Sequence, residues 1–195
     1  MSYSKAILRS YGLRTHGQVR VVNVFLVVTG VLIIAASAKI KVPMWPVEMS
    51  LQTLAIFLIA GTYGSRLGVA TVLSYLAVGA AGYPVFQSTP ERGIGLAYMV
   101  GPTAGYLVGF VVMTYIVGRA ADLGWWRSTL KIGSAMLAGE IVLLLLGFLW
   151  LVWLFGLQQA YVYGVGPFII PDLLKVALAA CLVSVLPKVT SLTKQ

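Results

Sequence analysis

Long apolar runs alternate with short polar segments along most of the chain. Residues 21–38 and residues 94–118 contain no charged side chain. Residues 132–156 contain a single one, Glu140. A helix of about 20 apolar residues crosses a hydrocarbon core of about 30 Å. Each of these runs therefore predicts a membrane-spanning helix.

Three shorter apolar stretches complete the pattern. Residues 51–59 and 67–80 are separated by GTYGSR, whose two glycines favour a tight turn. We interpret them as two helices, the first short or tilted. Residues 167–186 form the last stretch. The pattern predicts six membrane-spanning helices.

Composition supports a membrane protein. Of the 195 residues 59% are hydrophobic and only 10% are charged, and the mean hydropathy is +0.94. A soluble domain needs more charge to wet its surface. Residues 36–38 (ASA) imitate a signal-peptide cleavage site, but the apolar run is long and follows a basic segment, which favours a membrane helix.

Positive charge predicts the orientation. With six spans, ten of the fourteen lysine and arginine residues lie on the side that holds both termini and the second and fourth loops. The opposite loops hold only Lys39, Lys41 and Arg92. Because basic residues stay on the cytoplasmic side, we expect both termini to be cytoplasmic.

Several functions lack the residues that they would need. The chain has no Walker phosphate loop, no HExxH and no GxSxG, and its single histidine, His16, lies in the basic N-terminal tail. The net charge of +9 is spread around predicted helix ends and is better explained by topology and anionic lipid than by nucleic acid. Cys181 is the only cysteine. An enzyme is disfavoured, and we expect no catalytic residue, metal or cofactor.

Polar chemistry gathers in three regions that the topology places on the external side. In the first, KIKVPMWPVEMSLQT (residues 39–53), two prolines forbid a continuous helix. This loop is either an interfacial connector with Trp45 at the headgroups or a lid that presents Trp45 to a ligand.

The second region, residues 81–110, combines aromatic side chains with Arg92 and closely spaced glycines. Gly101, Gly105 and Gly109 are four residues apart, so they would share one helix face and allow close helix packing. Pro102 predicts a break in the helix, of the kind that lines cavities at membrane depth.

The third region, GPFIIPDLLKVAL (residues 166–178), places Asp172 and Lys175 three positions apart in an apolar run. Asp172 after Pro171 suits a helix start, so the pair could be a helix cap with a neighbouring lysine. Ionisable groups inside membrane spans more often mark ligand or ion sites. Glu140 invites the same interpretation, although it could instead snorkel or bind neighbouring backbone.

Four segments, in order and spacing, resemble the BioY proteins, the biotin-specific substrate-capture (S) components of energy-coupling-factor (ECF) transporters. They are KVPMWPVEMSLQTLA, GTYGSRLGVATVLSYLAVGAAGYPVF, GLAYMVGPTAGYLVGF and PFIIPDLLKVALAA. The resemblance extends from about Val31 to Pro187. It implies an all-α membrane protein with six transmembrane helices in an S-component-like bundle and cytoplasmic termini, in the bacterial plasma membrane.

The same resemblance implies biotin capture in a cavity near the external surface, roofed by the loop between helices one and two. A coupling protein and ATPase subunits usually complete such a transporter, although some members work alone. Lipid and a homo-oligomer are further expected partners, and nucleic acid is not. The expected domains are a basic segment (1–20), the biotin-binding bundle (21–187) and a cytoplasmic tail (188–195).

Biotin requires partners for its ureido ring, apolar walls and a cation for its carboxylate. Asp172 suits the ureido N–H groups, whereas either Lys175 or Arg92 suits the carboxylate, the latter with a planar fork. We expect Asp172 and Lys175 to bind each other only when the site is empty. The candidate substrate-binding residues are Trp45, Gln52, Phe86, Arg92, Tyr98, Gly101, Thr103, Tyr106, Asp172 and Lys175.

The chain departs from the family pattern at three positions. Glu48 replaces the second proline of Pro-Val-Pro, Pro171 replaces a glycine, and Glu140 replaces an asparagine next to Gly139. The small residues near Ala35 only loosely match the spacing that S components use to contact a coupling protein. Alternatives are a transporter for another vitamin, an intramembrane enzyme or a structural subunit.

Overall fold

A computed structural model describes residues 16–42, 49–91 and 93–192 of the chain. It is almost entirely helical. The helices are α1 (His16–Lys39), α2 (Gln52–Ala80), α3 (Gly95–Met99), α4 (Ala104–Asp122), α5 (Thr129–Phe155), α6 (Leu157–Gly164) and α7 (Ile169–Leu192). Short 3₁₀ turns at Trp125–Arg127 and Gly166–Phe168 precede α5 and α7. Strands β1 (Lys41–Val42) and β2 (Met49–Ser50) pair antiparallel.

Five helical stretches in the described residues are long and apolar enough to cross a membrane. They are Arg20–Lys39, Gln52–Ala80, Ala104–Asp122, Thr129–Phe155 and Leu157–Val185. The all-α membrane fold expected from the apolar runs is confirmed. Six crossings remain a prediction, which depends on counting the two arms of α2 separately.

The turn predicted within GTYGSR lies at Gly64, whose φ of 80° is open to glycine but unfavourable for other residues. The two arms of α2 fold back on each other there. The Gln52 amide donates to the Tyr75 hydroxyl at 3.1 Å. In a straight helix these residues would be about 35 Å apart, at about 1.5 Å per residue. α2 is therefore a helical hairpin.

The apolar run at residues 94–118 is not one helix. α3 ends at Met99, a turn follows, and α4 begins at Ala104. Pro102 in this turn has no N–H to donate, so the predicted break is confirmed. Gly101 consequently lies outside α4, and the prediction that it shares a helix face with Gly105 and Gly109 is wrong.

The core lies where the α2 hairpin, α4, α5 and α7 meet. Gly105 and Gly109 allow α4 to approach α5 closely: a Cβ on Gly109 would lie 3.0 Å from the Leu143 Cα. This agrees with the predicted small-residue packing. α1 packs mainly on α2 and is the least buried of the five apolar stretches.

Candidate functional site

A cavity of about 720 Å³ opens at the end of the bundle where α1 and α5 finish and where α2 and α7 begin. We call this the cavity end. Known small-molecule sites measure about 300–1,000 Å³, so the space suits a vitamin-sized ligand. Its polar and aromatic lining includes Ser50, Gln52, Thr53, Phe86, Gln87, Tyr98, Thr103, Tyr106, Glu140, Gln159, Tyr163, Phe168, Asp172 and Lys175.

Asp172 and Lys175 form a salt bridge inside this cavity. Asp172 lies in the first turn of α7, and the Lys175 ammonium donates to its Oδ1 at 2.9 Å. The two residues are only 3% and 9% exposed. Spacing of i, i+3 on one helix face allows this contact. The pair is neutral as a unit, and the cavity keeps it within reach of a ligand.

Glu140 of α5 faces the same pair. Its carboxyl group interacts electrostatically with both Asp172 and Lys175, and the residue is 4% exposed. No donor in the described part of the chain is in hydrogen-bond geometry with either Glu140 oxygen. The sequence left open that Glu140 snorkels to water or binds neighbouring backbone. In the described residues it does neither.

An aromatic group forms another part of the wall. The rings of Phe86 and Tyr98 are stacked, with centroids 4.8 Å apart and planes 13° apart. Tyr75 meets the edge of Phe86 at 5.4 Å and 90°. Offset stacks and T-shaped pairs add stability beyond the area that they bury. The Tyr98 hydroxyl donates to the Gln87 carbonyl at 3.0 Å, which fixes its ring.

Lys39, the last residue of α1, holds the loop that carries Phe86. Its ammonium donates to the Phe86 carbonyl at 3.0 Å, and to the carbonyl and the hydroxyl of Thr89, both at 2.8 Å. The Tyr75 hydroxyl donates to the Val85 carbonyl at 3.1 Å. The chain between α2 and α3 is thus fastened from two sides, which positions the aromatic wall.

Seven of the ten sequence candidates line the cavity: Gln52, Phe86, Tyr98, Thr103, Tyr106, Asp172 and Lys175. Tyr106 also donates to the Gly164 carbonyl at 2.6 Å, which ties α4 to α6. Gly101 lies beside the lining, where its carbonyl accepts a hydrogen bond from Trp150 Nε1 at 3.0 Å. Trp45 and Arg92 fall outside the described residues.

The sequence candidates omit several residues that line the cavity. Gln159 and Tyr163 come from α6, a short helix that lies between the apolar runs 132–156 and 167–186 and that the apolar pattern therefore did not predict. Their spacing of four residues is the signal that could have shown a common face. Thr53 also lines the cavity, and its hydroxyl is buried without a hydrogen-bond partner in the described residues.

Comparison with known proteins shows where the chain belongs. The BioY family model matches residues 12–192. A probable biotin transporter BioY of Pyrococcus horikoshii is 35% identical over 157 residues, which cover 80% of this chain and 91% of the relative. A probable biotin transporter BioY of Rickettsia prowazekii is 31% identical over 168 residues, covering 84% and 82%.

The fold also matches a solved structure. The S-component for biotin from an ECF-type ABC transporter superposes with a TM-score of 0.76, over 90% of this chain and 95% of that one, at 22% sequence identity. This likeness establishes the S-component fold. With the family match over nearly the whole chain, it shows that this multi-pass membrane protein belongs to the BioY family.

Proposed function

We propose that the protein captures biotin in the cavity and mediates its uptake across the bacterial plasma membrane. One observation carries this proposal. The cavity of about 720 Å³ combines an aromatic wall with a buried cluster of ionisable side chains, which we call the polar cluster: Glu140, Asp172 and Lys175. Biotin has a matching polar ureido ring and an apolar thiophane and valeryl chain. Relatives described as biotin transporters support the choice of ligand.

Charge orients the proposed ligand. The polar cluster contains two carboxyl groups and one ammonium, and the ammonium already pairs with Asp172. A third carboxylate would be repelled there, whereas ureido N–H donors would find acceptors and the ureido carbonyl would find Lys175. The biotin carboxylate then points away from the cluster, and Arg92 is its proposed partner. It follows the cavity-lining residues Phe86 and Gln87 in the same loop.

The proposed topology follows the charge pattern of the sequence. Both termini face the cytoplasm, so the cavity end faces outward. Residues 1–20 and 188–195 are cytoplasmic, and residues 21–187 form the six-helix binding domain. The protein acts as a carrier subunit, not as an enzyme.

A binding experiment tests the ligand and the site together. We expect purified protein in detergent to bind biotin and to be stabilised by it against heat, with no stabilisation by other vitamins in a panel. Lys175→Ala and Asp172→Asn should weaken binding by about 100-fold, because each leaves a buried partner unpaired. The control Lys131→Ala changes an exposed lysine far from the cavity and should leave binding unchanged. Equal affinity in all three variants would refute the site.

An uptake experiment tests the proposed partners. We expect cells that express this chain together with an ECF coupling protein and ATPase subunits to accumulate labelled biotin. Accumulation by cells that express the chain alone would identify a solitary carrier, and a homo-oligomer measured in lipid nanodiscs would be its working form. Biotin that stays bound at the cell surface would identify a capture subunit that requires those partners. Absence of both binding and uptake would refute the transport function.

A further inference from the structure

The buried polar atoms that lack partners identify a further contact. Among the residues that the structure describes, the buried side-chain oxygens without a hydrogen bond are Thr53 Oγ1 and the two carboxyl oxygens of Glu140. Both residues line the cavity. Buried polar groups in proteins are almost always hydrogen-bonded, so an unpaired one needs an explanation. A ligand that donates hydrogen bonds to these oxygens explains why they have no partner among the described residues.

Glu140 cannot obtain its donor from the neighbouring charges. Lys175, the ammonium of the polar cluster, donates to Asp172 on its own helix at 2.9 Å. Asp172 and Glu140 lie within side-chain hydrogen-bonding reach of each other, but a carboxyl group has no N–H, so this contact gives Glu140 no N–H donor. Around Gly139, the facing side chains of α4 are apolar: a Cβ there would meet Met113 and Val117. A ligand in the cavity can supply the N–H donors that these neighbours do not.

A cyclic urea presents donor, acceptor and donor along one edge. In the polar cluster, Asp172 and Glu140 are acceptors on two different helices, and the Lys175 ammonium is the donor that interacts with both. We infer that Glu140 is a specificity-determining contact that accepts the second ureido N–H of the ligand, while Asp172 accepts the first. This inference rests on the proposed function, and it adds α5 to the elements that recognise the ligand.

The inference predicts that stability and binding change in opposite directions. In the empty protein, Glu140→Leu replaces a buried carboxyl group that no donor of the described residues satisfies by an apolar group of similar size, so the melting temperature should stay equal or rise. Biotin affinity should fall at least 10-fold, because one acceptor is lost. Glu140→Gln keeps an acceptor oxygen and should lose less than Glu140→Leu. The control Ile141→Leu, at an exposed α5 residue that is next to Glu140 and does not line the cavity, should change neither quantity.

Two ligand analogues make the test specific. In each, one of the two ureido N–H groups is replaced by a ring oxygen. For one analogue, Glu140→Leu should weaken binding less than 3-fold, because the N–H that Glu140 accepts is already missing. For the other, the full loss of at least 10-fold should remain. Such a cycle isolates one pairwise contact.

Three results would overturn the inference while leaving biotin capture intact. One is wild-type-like biotin affinity in Glu140→Leu. Another is an equal loss of affinity for biotin and for both analogues. The third is a lower melting temperature of the empty Glu140→Leu protein, which would make Glu140 a structural residue. Failure of the wild type and of Ile141→Leu to bind biotin would instead refute the proposed function, and this contact with it.

Discussion

Polar side chains at the two ends of the bundle differ in how they are hydrogen-bonded. At the end opposite the cavity, Asp122 accepts two hydrogen bonds from Ser65, at 3.0 Å from the backbone nitrogen and 2.5 Å from the hydroxyl. These bonds secure the α2 hairpin just after its turn. The hydroxyls of Thr129 and Ser184 pair at 2.8 Å. At the cavity end, Glu140 and Thr53 have buried oxygens that no donor of the described residues satisfies.

The difference separates a packed structural end from a binding end. Polar groups that satisfy each other stabilise the hairpin and leave nothing for a ligand. Buried polar groups without partners reduce stability, and proteins keep such destabilising groups where function requires them. Both ends contain carboxylates at helix termini, so residue type alone does not distinguish them. Four predictions test this contrast, from the largest expected effect to the smallest.

Asp172→Ala should have the largest effect, because it leaves the Lys175 ammonium buried without its partner. We expect the free energy of unfolding to fall by about 3–5 kcal/mol. Biotin binding should be lost as well. The double variant Asp172→Ala/Lys175→Met removes the orphaned charge and should recover most of the stability but none of the binding. Thermal melts and biotin titrations measure the two quantities. Binding by the double variant would contradict the assignment of this pair to the ligand site.

Gly118→Ala should destabilise the opposite end by about 1–3 kcal/mol. Its Cβ would lie 2.6 Å from the Cα and N of Ser65, and backbone cannot move aside as a side chain can. Biotin affinity of the folded protein should be unchanged. Gly133→Ala is the matched control, because the Ala180 Cβ, at 3.4 Å, is the contact that its Cβ would make among the described residues. It should melt at an equal or higher temperature. Weaker binding by Gly118→Ala would break the proposed separation of the ends.

Lys39→Met should release the loop that carries Phe86, because three hydrogen bonds are lost. We expect biotin to dissociate about 10-fold faster, equivalent to about 1.4 kcal/mol, with little change in association rate. Stopped-flow dissociation measures this. Lys131→Met removes a lysine that is exposed at the other end and serves as the control. An unchanged dissociation rate would show that the loop does not hold the ligand.

Thr53→Val should have the smallest effect. The substitution keeps the shape and removes a hydroxyl that has no partner in the described residues. Stability should stay equal or rise, while biotin affinity should fall by about 1 kcal/mol if the ligand satisfies that hydroxyl. Thr71→Val is the control, since the Thr71 hydroxyl donates to the Leu67 carbonyl at 2.8 Å and does not line the cavity. It should reduce stability and leave affinity unchanged.

The sequence predicted most of the fold because lipid imposes a simple rule. Long uncharged runs must be helical to satisfy their backbone, so α1, α5 and α7 were recognisable from composition alone. Glycine and proline marked the turn at Gly64 and the break at Pro102. α6 was missed because its residues, LQQAYVYG, fall between the apolar runs 132–156 and 167–186 and include two glutamines. In the structure the φ of 84° at Gly156 separates it from α5.

The site was predictable in part. Asp172 and Lys175 stood out because charges are costly inside a span. Thr53 and Gln159 did not, since a threonine or a glutamine near a helix start is common and only the three-dimensional arrangement shows which ones reach the cavity. Glu140 was recognised as unusual, but its lack of partners depends on what α4 and α7 place around it. The sequence therefore shows which polar residues lie in apolar runs, and the fold shows which of them have no hydrogen-bond partner among the described residues.

The hydrogen bonds of Lys39 connect helix α1 to the wall of the cavity. α1 touches the rest of the bundle mainly through α2, yet its last side chain is bound to the Phe86–Thr89 segment by three hydrogen bonds. Helix α1 and the Phe86–Thr89 wall of the cavity are thus mechanically coupled. A tilt of α1 in the bilayer, whether caused by lipid thickness or by a partner protein, would therefore move that wall unless these hydrogen bonds break.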